Sequence, residues 1–135
     1  MNGKTMKLAG LLVLALSFLS ARTSLARGNE NHIIVGKTGV FTLASVTKVG
    51  SLTLQPGRYL LQHTEKRSGG HVMHFVRFSP VYHGGIEPSQ RFKQECKVEP
   101  LPAKATRTRI FLTRANGEER ITRIEIKGEN VAHLF

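Results

Sequence analysis

Past residue 30 the chain alternates apolar and polar positions with a period of two. Nowhere does it sustain the i, i+3, i+4, i+7 spacing of a helix without a Gly or Pro intervening. The alternation predicts short strands at His32–Val35, Val40–Thr47, Leu52–Leu54, Arg58–Thr64 and His71–Phe78. Gln55-Pro56-Gly57-Arg58 puts Pro and Gly where a tight turn wants them. Ser79–Gln90, with two Pro and a Gly pair, is the longest irregular stretch.

Arg91–Glu99 carries the clearest pattern. Phe92, Gln94, Cys96 and Val98 face one way, and five charged residues face the other. Near the end, Ala115-Asn116-Gly117 suits a three-residue hairpin loop in which Arg114 faces Glu118. That register puts Ile110, Leu112, Ile124 and Ile126 on one face and turns Phe111, Ile121 and Arg123 outward. The expected core is Ile34, Val46, Leu54, Tyr59, Leu61, Val76, Phe92, Val98, Ile110, Leu112, Ile124, Ile126 and Val131. The fold class is all-β: a small antiparallel β-sandwich or barrel of about eight short strands. Phe111 and Ile121, both outward, would suit a homo-oligomer interface.

The first 26 residues are expected to be a signal peptide, with residues 27–135 forming one domain. Lys4 and Lys7 precede the apolar run Leu8–Leu19, and Ser24-Leu25-Ala26 offers small residues for cleavage after Ala26. The run is too short for the roughly 20 apolar residues of a membrane span, so no transmembrane segment is expected in the mature chain. The protein should be exported, to the periplasm or the medium. Cleavage removes 26 of the 135 residues, including Lys4, Lys7 and Arg22. Of the 20 basic residues 17 remain, against nine acids, leaving a net charge of +8. Every acid is Glu. The absence of Asp excludes a Ser-His-Asp triad, an EF-hand loop and an Asp-held magnesium site. Glu118-Glu119 falls at a hairpin tip, and Glu95 and Glu99 lie on a charged outer face, so no buried acid–base pair is suggested. The expected role is a non-catalytic binding or structural module.

Two segments carry a resemblance. Gly50 to Tyr59, with Leu54-Gln55-Pro56-Gly57-Arg58-Tyr59 at its heart, resembles a Pro-Gly hairpin of many small secreted bacterial β-domains. Ile121–Gly128 with Val131 and Leu134-Phe135 is similar to the closing strands of one group of such proteins. The resemblance covers about a third of the mature chain and implies an exported all-β fold. Its motifs are structural, and it assigns no catalytic or ligand residue.

The histidines are the unusual feature. His63, His71, His74 and His83 fall within 21 residues, with Met73 among them. If Arg58–Thr64 and His71–Phe78 form a hairpin, His63 and His71 meet at its loop end. One pairing parity puts His63, His71, Met73 and Phe75 on one face; the other joins His63 to Val72, His74 and Val76. In either case two imidazoles could share one ion, and imidazole with thioether suits copper or zinc. His83, on the loop, would swing in as a third ligand. Cys96, without a partner in the chain, is either a buried thiol, as its alternation with Phe92 and Val98 favours, or half of an intermolecular bridge. Arg107, Arg109, Arg123 and Lys127 gather on the last hairpin and form the candidate surface for weak binding of anionic envelope or extracellular polymers.

Overall fold

A computed structural model describes residues 31–78 and 90–135; the expected signal peptide, the expected irregular stretch from Ser79 and, with it, His83 lie outside the described residues. The strands are β1 (Asn31–Ile34), β2 (Val40–Leu43), β3 (Thr47–Val49), β4 (Leu52–Leu54) and β5 (Gly57–Glu65). They continue with β6 (His71–Arg77), β7 (Arg91–Pro100), β8 (Arg109–Ala115), β9 (Glu118–Glu125) and β10 (Val131–Leu134). Eight of them follow one antiparallel path, β1-β8-β9-β10-β7-β6-β5-β2. Off that path β3 pairs with β4 and runs parallel to β9.

The two ends of the path are consecutive in the chain, and this brings the sheet round on itself. β1 lies on β8 and β2 on β5, and the short link between them bridges the seam. Val35 N–H donates to the Thr108 carbonyl at 2.9 Å on one side, and Leu61 N–H donates to the Gly39 carbonyl at 2.8 Å on the other. The sheet is therefore a nearly closed barrel, which leaves few unpaired strand edges.

The interior is apolar and continuous. Phe41, Leu43, Val49, Leu54, Tyr59, Met73, Phe75, Ile110, Leu112, Ile121 and Ile124 form its buried cluster, with Leu61, Phe92 and Ile126 packed against it. Tyr59, just past the Pro56-Gly57 corner, is fully buried and donates its hydroxyl hydrogen to the Gln55 carbonyl at 2.6 Å. That bond satisfies the one polar atom the ring carries inward.

Three expected core residues are on the surface. Ile34 is exposed because its neighbours Ile33 and Val35 take the inward positions along β1. Val46 lies on the bend that splits the expected strand 40–47 into β2 and β3, and Thr47 and Val49 turn inward instead. Val98 is exposed because β6 stops pairing with β7 at Cys96, leaving the far end of β7 with a neighbour only on the β10 side.

The last hairpin also differs from expectation. Ala115 pairs with Glu118, so the loop is the two residues Asn116-Gly117. Their φ values of +54° and +75° are those of a type I′ turn, in which Asn and Gly tolerate the left-handed backbone. A bulge opposite Phe111 and Leu112 then restores the pairing of Ile110 with Ile124. With Thr122 as the extra residue, Ile121 swings inward opposite Leu112 and is only 1% exposed. An oligomer interface through Phe111 and Ile121 is thereby ruled out in its expected form. Phe111 is half-buried beneath two guanidinium groups. No helix among the described residues is long and apolar enough to cross a membrane.

Candidate metal centre

The histidine site is assembled by four neighbouring strands, in the order β10-β7-β6-β5. β5 and β6 pair so that Tyr59 faces Arg77, His63 faces Met73 and Glu65 faces His71. With this parity, Leu61 and His63 share a face with Met73, Phe75 and His71, and that face is the barrel interior. Next along, Cys96 on β7 pairs with His71, and His133 on β10 pairs with Val98 on the same strand. Each of the four strands thus places one metal-ligating side chain at the same end of the barrel: His63, His71, Cys96 and His133.

One donor nitrogen from each of His63, His71 and His133 falls within 4.8 Å of the others. His63 Nε2 is 2.9 Å from His71 Nδ1, and these two rings are nearly parallel, with centroids 5.1 Å apart. The His133 ring centroid is 4.4 Å from that of His63 and 5.4 Å from that of His71. Glu129, from the turn before β10, spans two of the rings. Its Oε1 is 3.1 Å from His63 Nδ1, and its Oε2 is 2.7 Å from His133 Nε2. The remaining nitrogen of His133, Nδ1, is 3.5 Å from Cys96 Sγ.

Burial is graded across the cluster. His133 is fully enclosed, while His63 and His71 are half-buried and line a cleft with Glu65, Lys104, Gly128, Glu129, Asn130 and Val131. Burial pushes the His63 pKa below the ordinary histidine value; the His133 charge adds to this, and Glu129 only partly opposes it. A neutral His63 donates its Nδ1–H to the carboxylate and keeps a lone pair on Nε2. Burial, reinforced by Glu129, pushes the Cys96 thiol up to about 11, so the isolated thiol is not a nucleophile near neutrality.

The structure unites His63 and His71 and separates the rest of the expected set. Met73 is fully buried in the apolar core, its sulfur part of the packing. His74 points to the opposite face of β6, where its Nε2 meets Thr64 Oγ1 at 2.8 Å. Its Nδ1 is buried with no hydrogen-bond partner among the described residues, and burial followed by Arg91 and Lys93 lowers its pKa. In place of Met73 and His74 stand His133, Glu129 and Cys96. The inward position of His133 is legible in the alternation Val131-x-His133-x-Phe135. Its nearness to His63, however, comes from β10 lying beside β7, which spacing along the chain does not reveal.

The basic residues of the last hairpin are partly committed to internal pairing. Arg109 bonds Glu125 at 2.6 Å, and Arg123 bonds the same carboxylate at 2.9 Å and approaches Glu99 at 3.5 Å. Both guanidinium groups also lie over Phe111, at 5.2 and 5.8 Å. Glu125 is almost fully buried; burial alone would raise its pKa, but the hydrogen bonds from Arg123 and Arg109 hold it below the usual carboxylate value. Arg107 and Lys127 are exposed. No known protein family matches the chain, and neither a curated protein nor a solved structure shows significant similarity to it.

Proposed function

We propose that this chain is an exported binding protein for a borderline divalent cation, Zn(II) or Cu(II), held at the end of the barrel by His63, His71 and His133. The observation that carries this reading is the convergence of three imidazoles within 4.8 Å, two from the β5–β6 hairpin and the third from β10, far along the chain. Holding His63 out of water beside two further imidazoles disfavours its charged form and works against folding wherever that ring takes up a proton. An ion at the centre turns the same arrangement into a favourable one, since neutral imidazole nitrogens are ligands for these metals at roughly 2.0–2.1 Å. Glu129 fits the role of the carboxylate that orients ligating histidines through their outer nitrogens. Cys96, His133 and Glu129 stand in line as thiol, imidazole and carboxylate, but burial pushes the Cys96 thiol up to about 11, which favours binding over nucleophilic catalysis.

Calorimetric titration of the purified, metal-free protein with Zn(II) and Cu(II) tests the proposal. Binding tighter than about 10 µM is expected, lost in the His63→Ala, His71→Ala double variant and retained in His74→Ala. Equal binding by the double variant, or none by the wild type, refutes it.

A further inference from the structure

The three-histidine reading leaves a fourth tetrahedral position, and the geometry of Cys96 points to what fills it. We propose that Cys96 enters the site as a thiolate, closing a centre of three imidazole nitrogens and one sulfur with His63, His71 and His133; this rests on the three-histidine reading.

The tautomers imposed by Glu129 carry the inference. Its two oxygens accept from His63 Nδ1–H and His133 Nε2–H. In the neutral form of each ring, the form that binds a metal, the lone pair then sits on the opposite nitrogen, His63 Nε2 and His133 Nδ1. The first of these faces His71 Nδ1 at 2.9 Å, and the second faces Cys96 Sγ at 3.5 Å. The first lone pair is thus met by the His71 N–H, and the second lies within reach of the Cys96 thiol, which also reaches the His71 carbonyl at 3.5 Å. Two ligands of one tetrahedral zinc, at about 2.05 Å for nitrogen and 2.3 Å for sulfur, are themselves about 3.5–3.6 Å apart. The His133–Cys96 separation already has that value, and the His63–His71 separation is slightly shorter than the roughly 3.3 Å of two nitrogens.

Strand order supports the same set. Cys96 stands between His71 and His133 across the sheet, on the strand that joins β6 to β10. The thiol adjoins the nitrogen triad, and closing the set asks it to move toward the ion. Glu129 is unsuited to the fourth position because its oxygens are engaged on the outer nitrogens. The chemistry balances without a redox step. The metal(II) ion takes the place of the thiol proton, which leaves to solvent as the metal–sulfur bond forms. His71 moves its remaining proton from Nδ1 to Nε2, with no net release.

Cobalt(II) reports the ligand set directly. Titrating the purified full chain with Co(II) is expected to give the visible bands of a tetrahedral ion together with a sulfur-to-cobalt charge-transfer band in the near ultraviolet. Cys96→Ser should keep the visible bands, lose the charge-transfer band and bind Zn(II) at least about tenfold more weakly. The thiol borders a cleft lined by Gly50, Gln94, Lys97, Leu134 and Phe135, so alkylation at alkaline pH, where a thiol raised to about 11 begins to react, is a second readout. Zn(II) should protect Cys96 from alkylation in the wild type and not in the His63→Ala, His71→Ala variant. Co(II) bound with no charge-transfer band, and no protection by Zn(II), overturns the thiolate ligand while leaving the three-histidine site standing. No binding of either ion overturns both.

Discussion

At the scale of single residues, Glu129 is the side chain on which the site depends most after its ligands. It holds His63 and His133 with one carboxylate, fixing both tautomers and both ring orientations. Glu129→Gln replaces one accepting oxygen with a donor, which clashes with one of the two N–H groups. Zinc affinity should fall by about 10- to 100-fold while the fold persists, measured by competition with a chromophoric chelator; an unchanged affinity would show that the carboxylate plays no part. His74 offers a pH prediction independent of metal. In the unfolded chain a histidine takes up a proton near pH 6.5. In the fold, burial and then Arg91 and Lys93 push the His74 value lower, and His63 adds a smaller effect in the same direction. The folded state therefore binds fewer protons in that window, so its contribution to stability is complete above about pH 6.5 and is lost as pH falls through the lowered folded value. Urea midpoints measured from pH 7.5 down to 5 should drop less steeply in His74→Gln than in the wild type. Parallel curves would remove His74 as a source of acid sensitivity. Cys96 and His133 show what is readable at this scale: alternation turns both inward, but only the strand order supplies their neighbours.

At the scale of elements, strand existence is legible in the sequence and register is not fully so. The period of two locates nearly every strand because one face of each meets the core and the other meets water. The closing hairpin shows the limit. Asn116-Gly117 forms the type I′ turn, and the bulge at Thr122 repairs the register that such a turn alone would spoil. An alternation count has no signal for an inserted residue, so it places Ile121 outside, whereas the side chain lies at the core beside Leu112 and Ile124. Two truncations separate the readings. Ile121→Ala should cost about 2–5 kcal/mol, as for a buried aliphatic side chain. Ile34→Ala, at a surface position, should stay within about 0.5 kcal/mol. Equal effects in chemical denaturation would contradict the bulged register.

At the scale of the whole molecule, the proposed ion sits where it can act on the barrel as a unit. Its ligands come from β5, β6 and β10, and β10 is also bonded to β9 in the half of the barrel that holds the closing hairpin. A metal there ties β10 directly to β5 and β6, to which it is otherwise joined only through β7. The unfolded chain has no such assembled site, so binding free energy becomes folding free energy. Zinc at 100 times its dissociation constant should stabilise the fold by about 2.7 kcal/mol. For a domain of this size that corresponds to a rise in Tm of roughly 10 °C. Scanning calorimetry with and without Zn(II) measures this rise, and the His63→Ala, His71→Ala variant should show almost none of it. A rise of the same size in both proteins would place the zinc elsewhere on the molecule. The surface offers a plain alternative in exposed carboxylates such as Glu65, and their weak binding would not survive a modest excess of calcium. Stabilisation that persists in calcium and disappears with the two histidines is the signature expected of an ion bound inside the barrel mouth.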